Sequence, residues 1–483
     1  MKISNLSYLF TFYIFTFYHP LFSQQPIKYK ISFPNAVHHE AEISVTFTDL
    51  PMLTLELRMS RSSPGRYAIH EFAKNVYRVQ AENGKGEKLA LTRPNPYQWN
   101  VHGHDSTVTV RYTLYADRAG GTYSGIDATH AHLNIPATFI WARDLGDRPI
   151  RVTFQPPEGS KWKVATQLAP TEDPFIFTAP NLYYFLDSPI ELSGFLLRQW
   201  QVQSNGESYS IRLALHHAGT ESEADEYAEM AKRVVYEQEG IYGELPDFDF
   251  GTYTFIADYL PYIAGDGMEH RNSTIIASTR PLETGAMRNL GTLAHEFFHA
   301  WNVERLRPKT LEPFNFEQAN MSGELWFAEG FTSYFTPLTL HRAGLTGLDR
   351  FAGSLSRSVN FVVNAPGRDF FSPVEMSMQA PFVDAATSVD PTNRANTFIS
   401  YYTYGTVVGL GLDLTLRTQF PGKSLDDLMR EMWRAHGKTE IPYANKDIQQ
   451  ALATVTGDEE FARIFFENYI YGRKLVDYEK LLA

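Results

Sequence analysis

The chain has 483 residues, of which 43% are hydrophobic and 14% aromatic, enough apolar material for more than one folded core. The formal net charge is −12, and no basic run is present, which excludes nucleic acid as an expected partner. Because the sequence has no cysteine, disulfides and thiolate metal ligands are excluded, and any metal site must use histidine and carboxylate side chains.

The N-terminal segment has the pattern of a secretory signal peptide. Lys2 precedes a mostly apolar stretch from Leu6 to Tyr18, and Ser23 offers a small residue at a cleavage site. The stretch is short for a membrane-spanning helix. We therefore expect a signal peptide over residues 1–23, export to the periplasm or the medium, and no stable membrane insertion after its removal. An uncleaved membrane anchor is the alternative.

Residues 24–215 are predicted to form a β-rich domain. Five segments, such as "KYKISF" and "STVTVRYTLYA", alternate apolar and polar residues, and turn signals such as Gly120-Gly121 separate them. This pattern favours antiparallel sheets. Surface or packing roles are expected for six histidines of this region, which lack metalloprotease spacing: His38, His39, His102, His104, His130 and His132.

Residues 216–483 are predicted to form a mainly helical catalytic domain. "ESEADEYAEMAKRVVYEQEGIYG" has helical periodicity and an acidic first turn, "TYTFIADYL" reads as a strand, and "DGMEHRNSTIIAS" as a glycine turn that enters a strand. A helix is expected from Met287 to about Val303 and another from near Ser322, which Pro337 should kink or end.

The segment "HEFFH" places two histidines four residues apart within an apolar helix. His295 and His299 therefore lie on one helix face, and Glu296 is offset by about a third of a turn. Zn²⁺ held by two imidazoles lowers the pKa of a bound water, and an adjacent carboxylate can take its proton. The alternative is a pair of hydrogen-bonded core histidines.

Glu329 is the candidate for a third metal ligand. It lies in "LWFAEGFTSY", an apolar segment in which a buried carboxylate is costly unless it meets a cation. A catalytic zinc site uses three protein ligands and one open position. The alternative for Glu329 is a buried ion pair with Arg305 or Arg307.

"HEFFHAWNVERLRP" followed by "LWFAEGFTSYF" resembles the glycyl aminopeptidase family of gluzincin metallopeptidases. The segments "SSPGRYAIHEFAKNV", "GDGMEH" and "YYTYGTVVGLGLDLTLR" extend the resemblance from about residue 28 to the C-terminus. The resemblance implies an N-terminal β-domain and a thermolysin-like catalytic domain. It also implies that His295, His299 and Glu329 hold zinc and that Glu296 is the general base.

The same resemblance implies two further roles. Glu269, together with Gly267 and Met268, would bind the free α-amine of a peptide; a solvated charge at a strand end is the alternative for Glu269. Tyr402 would donate a hydrogen bond to the oxyanion, and its neighbour Tyr401 is the alternative.

Two departures from the family pattern stand out: Tyr404 replaces the usual lysine, and the sequence shows no C-terminal PDZ domain. We expect either a short form of the family or a truncated sequence. The expected function is a zinc aminopeptidase that removes N-terminal Gly or Ala from peptides. A zinc endopeptidase and a catalytically silent peptide-binding protein are the alternatives.

Overall fold

The computed structural model describes residues 25–383 and 391–482, so the predicted signal peptide over residues 1–23 lies outside the described residues. Strands with alternating buried and exposed residues dominate the first part. They are β1 Ile27–Asn35, β2 Glu40–Phe47, β3 Leu55–Arg58, β4 Val76–Asn83, β5 Ala90–Asn95, β6 Gln98–His102, β7 Val108–Tyr115, β8 Gly125–Ile126, β9 His130–Leu133, β10 Trp141–Ala142, β11 Ile150–Gln155, β12 Lys163–Thr166, β13 Ala169–Pro170, β14 Ile176–Ala179 and β15 Ile190–Ser193, with one short helix, α1 Leu182–Leu186.

These strands form three sheets, with the orders β13-β14-β11-β1-β2-β7-β4, β10-β3-β6-β5 and β12-β15-β9-β8. All their pairings are antiparallel except the one between β1 and β11. Their inward side chains form one hydrophobic core that extends from Ile27 to Leu192. The expectation of a β-rich, largely antiparallel first domain is therefore confirmed.

A fourth sheet and a set of helices follow; we call this sheet the second sheet because it belongs to the second part of the chain. The strands are β16 Leu196–Ser204, β17 Glu207–His217, β18 Thr252–Tyr259, β19 Asp266–His270 and β20 Ser273–Ser278. The helices are α2 Glu221–Tyr242, α3 Leu282–Phe298, α4 Leu325–Arg342, α5 Leu348–Asn364, α6 Pro373–Met378, α7 Ala380–Val383, α8 Pro391–Thr397, α9 Tyr401–Gln419, α10 Leu425–Met432, α11 Asn445–Thr456, α12 Glu459–Phe465 and α13 Tyr478–Leu482.

The second sheet has the order β16-β17-β18-β20-β19, in which β17, β18 and β20 are parallel and β19 is an antiparallel edge strand. Strands β16 and β17 thus belong to this sheet, although β16 precedes the predicted domain boundary at residues 215/216 and β17 crosses it. That boundary itself stays a prediction. The segment 266–278, expected as a turn and one strand, is a hairpin of β19 and β20 in which Glu269 pairs with Thr274.

Helices α4 and α9 cross with their backbones in contact. A Cβ on Gly405 would lie 2.0 Å from the main-chain oxygen of Trp326, and a Cβ on Gly330 would lie 2.3 Å from the Cα of Gly405. Only glycine permits this approach at either position. The crossing places the first turn of α9 beside Glu329 on α4.

Several predicted helix limits were wrong: helix α3 begins at Leu282 rather than at Met287. Helix α3 ends at Phe298 rather than near Val303, because the side-chain amide of Asn302 bonds to the carbonyl oxygens of Phe327 and Ala328 and draws the following turns toward α4. Helix α4 begins at Leu325 and continues through Pro337 to Arg342, since it is buried on nearly every side. Among the described residues, no helix combines the length and apolar character needed to cross a membrane.

Candidate metal centre and active-site cleft

His295, His299 and Glu329 converge at one point. His295 lies in the last turn of α3, His299 directly follows that helix, and Glu329 lies near the start of α4. The Nε2 atoms of the two histidines are 3.1 Å apart. Glu329 Oε2 lies 3.1 Å from His299 Nε2 and 3.5 Å from His295 Nε2. The three residues proposed as ligands are therefore neighbours in space.

This triangle fits a metal ion. Ligand atoms at the corners of a tetrahedron with metal–ligand bonds of about 2.0–2.1 Å are about 3.3 Å apart, close to the observed 3.1–3.5 Å. Glu329 Oε2 is buried and has no hydrogen-bond partner in the described part of the chain. A buried carboxylate oxygen without a partner is costly unless a cation meets it.

Hydrogen bonds around the triangle orient its members. The Nδ1–H of His299 donates to the carbonyl oxygen of Asn302 at 2.6 Å, which leaves the Nε2 lone pair facing the centre. The Tyr67 hydroxyl donates to Glu329 Oε1 at 2.8 Å, and Thr336 Oγ1 lies 3.4 Å from His295 Nδ1. Each proposed ligand thus has a neighbour that restricts its rotation.

The alternative interpretation of Glu329 as an ion-pair partner does not hold. Arg305 donates to the main-chain oxygens of Arg271, Ala300 and Asp247. Arg307 pairs with Glu312 and lies 3.8 Å from Glu304. Both guanidinium groups are therefore engaged elsewhere.

Two further carboxylates surround the centre. Glu269, Glu296 and His299 have ligand atoms within 4.8 Å of one another, and all three side chains are buried. Burial raises the pKa of both glutamates, which the neighbouring His299 opposes. At His299, burial is outweighed by Glu329, Glu269 and Glu296, and the pKa rises to about 10. The three carboxylates therefore favour a positive charge at His299, whereas burial lowers the pKa of His295.

Strand β19 passes directly over the Glu296 carboxylate. A Cβ on Gly267 would lie 2.2 Å from Glu296 Oε1, so a larger residue here would displace the carboxylate. Gly65, at φ +73°, packs against Glu269 in the same way: a Cβ on Gly65 would lie 2.9 Å from Glu269 Oε2. Met268 is fully buried in a small apolar cluster, so its side chain does not face the cleft. Its assignment as a substrate-binding residue stays a prediction.

The three tyrosines at the start of α9 have different surroundings. Tyr402 lines the cleft with His295 and Glu296, and its ring centroid is 6.0 Å from that of His295. Tyr401 is fully buried and packs edge-on against Tyr67. Tyr404 is also buried in the helical core and does not line the cleft. Of the three, Tyr402 is the one placed to meet a substrate.

The cleft has a volume of about 900 Å³ and lies between the β-domain and the helical part. Its walls include Arg66, whose guanidinium pairs with Asp266 and donates to the carbonyl oxygen of Gly267. Lys74 and Arg118 add positive charge on the same side. The cleft also borders His295 and Glu296.

Sequence reasoning missed the contribution of Tyr67 and Arg66. Both lie in "SSPGRYAIHEFAKNV", which was singled out only by resemblance, although a tyrosine and an arginine next to a Pro-Gly turn were visible there. Their partners, Glu329 and Asp266, are far away in sequence. Spacing therefore gives no signal for either contact.

Comparison with known proteins agrees with this geometry. Residues 28–194 match the Peptidase M61 N-terminal domain, and residues 288–408 match the M61 glycyl aminopeptidase domain. No curated protein matches the sequence.

Among solved structures, an aminopeptidase N family protein from Idiomarina loihiensis is similar with a TM-score of 0.83 and 26% identity over 94% of this chain and 78% of that one. An M1 zinc metallopeptidase variant from Deinococcus radiodurans shares the fold at a TM-score of 0.55 and 14% identity, covering 94% of this chain and 95% of that one. Yeast LTA4 hydrolase in complex with bestatin shares it at 0.52 and 15%, covering 94% and 68%. The chain is a hydrolase of the peptidase class and belongs to the M61 glycyl aminopeptidase family.

Proposed function

We propose that this protein is a zinc-dependent aminopeptidase that removes small N-terminal residues, Gly or Ala, from peptides. The observation that carries the proposal is the triangle of His295, His299 and Glu329, whose ligand atoms are 3.1–3.5 Å apart beside a peptide-sized cleft. Zinc held there would supply Lewis acidity for the hydrolysis of an amide carbonyl. The preference for small residues is taken from the family.

Each remaining residue has a chemical role in this scheme. Glu296 accepts the proton of the attacking water and passes it to the leaving amine, which its burial supports because a raised pKa suits a base that must also donate. The Tyr402 phenol donates to the oxyanion that develops on the scissile carbonyl. Glu269 binds the α-ammonium group of the substrate.

The presence of Glu269 in addition to Glu296 favours an exopeptidase. Hydrolysis needs one general base, whereas Glu269 and Glu296 both lie next to His299. A substrate ammonium would neutralise the additional negative charge, and the fixed distance between Glu269 and the metal centre would limit cleavage to the first residue.

The test uses the anilides of Gly, Ala and Leu, with and without a chelator. We expect turnover of the Gly and Ala anilides, loss of turnover with chelator, and no cleavage when the substrate amine is acetylated. Cleavage of acetylated peptides at internal bonds would instead identify an endopeptidase.

Variants separate the proposed roles. Glu296→Gln should keep zinc and lose turnover by about three orders of magnitude or more, whereas Glu329→Ala should lose zinc. Glu324→Gln is the matched control, since Glu324 is equally buried but bonds to Ser322 and Asn445 away from the cleft. A zinc-free parent protein that is fully active would refute the scheme.

We also propose that the protein is exported and acts on peptides outside the cytoplasm. The support is the charge and apolar pattern of residues 1–23 alone. Cell fractionation with N-terminal sequencing of the mature protein tests it; an intact N-terminus in the cytoplasmic fraction would contradict it.

A further inference from the structure

A second group of histidines and carboxylates lies between the two parts of the molecule. His132 on β9 is the cross-strand partner of Glu191 on β15. His216 on β17 is the register partner of Asp258 on β18. The two pairs face each other where a sheet of the β-domain packs against the second sheet, and we refer to these four residues as the interdomain cluster.

The interdomain cluster contains buried polar atoms without hydrogen-bond partners. His132, Glu191 and Asp258 are each 1% exposed or less. Among the described residues, no hydrogen bond is formed by His132 Nδ1, by either oxygen of Glu191, or by Asp258 Oδ1, although histidine nitrogens lie within ion-pair distance of these oxygens. Such atoms are rare in folded proteins because each costs about 1–3 kcal/mol. Their convergence at one point indicates an additional cation.

The separations match those of the catalytic triangle. His132 Nδ1 lies 3.1 Å from Asp258 Oδ2 and 3.5 Å from Glu191 Oε2, and the three ligand atoms fit within 4.8 Å of one another. In the first triangle, Glu329 Oε2 lies 3.1 Å from His299 Nε2 and 3.5 Å from His295 Nε2. Although His132 Nδ1 is within reach of Asp258, it is not aligned for a hydrogen bond.

The other nitrogen of His132 fixes the tautomer. His132 Nε2 lies 3.0 Å from the carbonyl oxygen of Gly120, which can only accept, so Nε2 carries a proton. A neutral His132 then presents the Nδ1 lone pair to the two carboxylates, as a histidine metal ligand with a main-chain partner does. His216 Nδ1 lies on the other side, 3.3 Å from Asp258 Oδ1 and 3.6 Å from Glu191 Oε1.

We propose that His132, Glu191 and Asp258 bind a second divalent transition-metal ion, separate from the catalytic centre, that ties the β-domain to the second sheet. One imidazole and two carboxylates suit Zn²⁺ or Mn²⁺ and would balance its charge. The site is closed to solvent, so the ion is structural. It also fixes the cleft, because Gly120, which His132 holds, is one of the cleft-lining residues.

The competing occupant is a proton. Burial opposes a charge on His132, but Asp258 and Glu191 outweigh it and raise the pKa to about 10. Two protonated histidines would balance two carboxylates as one divalent ion would. The two alternatives differ in the number of metal ions per chain, which can be counted.

The experiment measures metal by mass spectrometry in the full chain after chelator dialysis, reloading with Zn²⁺ alone and removal of excess. We expect two ions per chain in the parent, one in the double variant His295→Ala/His299→Ala, one in Asp258→Asn, and none when all three changes are combined. Asp187→Asn is the control and should keep two ions, because Asp187 and His270 form a buried pair with an ordinary 2.9 Å hydrogen bond.

A double variant that holds no ion would overturn the proposal and identify the occupant as a proton. The number of ions in the double variant distinguishes a metal ion from a proton even if Asp258→Asn does not fold. The position is checked by anomalous diffraction at the zinc edge on crystals of the double variant, and a peak away from His132 would also overturn it. A parent whose single ion survives in the double variant would instead refute the proposed catalytic centre and leave the interdomain ion standing.

Discussion

Replacing Tyr67 by phenylalanine tests whether the β-domain helps to hold the metal. The Tyr67 hydroxyl donates to Glu329 Oε1 at 2.8 Å in a buried setting. Burial and the neighbouring Glu329 raise the pKa of Tyr67 well above its usual value, so the hydroxyl stays a donor at any working pH. Tyr67→Phe removes this one hydrogen bond and leaves Glu329 Oε1 without the Tyr67 donor.

The expected loss follows from the kind of bond. A hydrogen bond to a charged group contributes about 1.5–3 kcal/mol, and 1.4 kcal/mol corresponds to a tenfold change in an equilibrium constant. We therefore expect zinc to bind about 10–100-fold more weakly, the range typical for loss of a residue that orients a metal ligand. Because Tyr67 does not ionise, the difference should be the same at pH 7 and pH 9.

The assay is competition for zinc with a chelator of known affinity. Tyr29→Phe is the matched control: Tyr29 is also buried, and its hydroxyl donates to the carbonyl oxygen of Ile140 at 3.0 Å, far from the site. It should cost about 0.5–1.5 kcal/mol of stability and leave zinc affinity unchanged. If both variants lose stability equally and bind zinc as the parent does, Tyr67 has only a packing role.

Three further changes have defined outcomes. Gly267→Ala places a Cβ 2.2 Å from Glu296 Oε1 and should lower kcat about 100-fold with zinc content unchanged; an unchanged kcat would contradict the role of Glu296. Gly405→Ala should destabilise by about 1–3 kcal/mol in thermal unfolding, whereas Gly353→Ala, whose Cβ would meet its nearest atom at 3.8 Å, should not. Burial and neighbouring cations lower the pKa of His70 to about 4. Between pH 7 and pH 5 the unfolded chain therefore binds more protons at this residue than the folded protein does. The free energy of unfolding should fall by about 1–2 kcal/mol from pH 7 to pH 5. His70→Gln should remove that fall, which urea titrations at both pH values would measure.

The parts of the site that could be predicted are those with a local signal. His295 and His299 follow from helical spacing, and Glu329 from the cost of a carboxylate in an apolar segment. The contact between Tyr67 and Glu329 has no such signal because it joins two domains. The cluster around His132 was missed for the same reason, since its carboxylates lie on two other strands.

The prediction of the fold has the same limit: local patterns do not reveal contacts between distant segments. Alternating segments correctly predicted strands in the first part. Alternation does not tell which sheet a strand joins, so it could not show that β16 and β17 pair with the second sheet. The apolar stripe of α3 continues to Trp301, which suggested a longer helix. Its end depends on the amide of Asn302 bonding to α4, a contact that periodicity cannot reveal.

Through the loop that contains Gly65, Arg66 and Tyr67, the β-domain contacts the candidate site directly. Tyr67 holds the carboxylate proposed as the third ligand, Arg66 holds the edge strand through Asp266, and Gly65 fits against the proposed amine-binding carboxylate. A helix with two histidines fixes only two directions toward a metal. In the proposed scheme, the third ligand and the distance to the substrate amine would depend on contacts from this loop. Selectivity for the first residue of a peptide would then be a property of the interface between the domains.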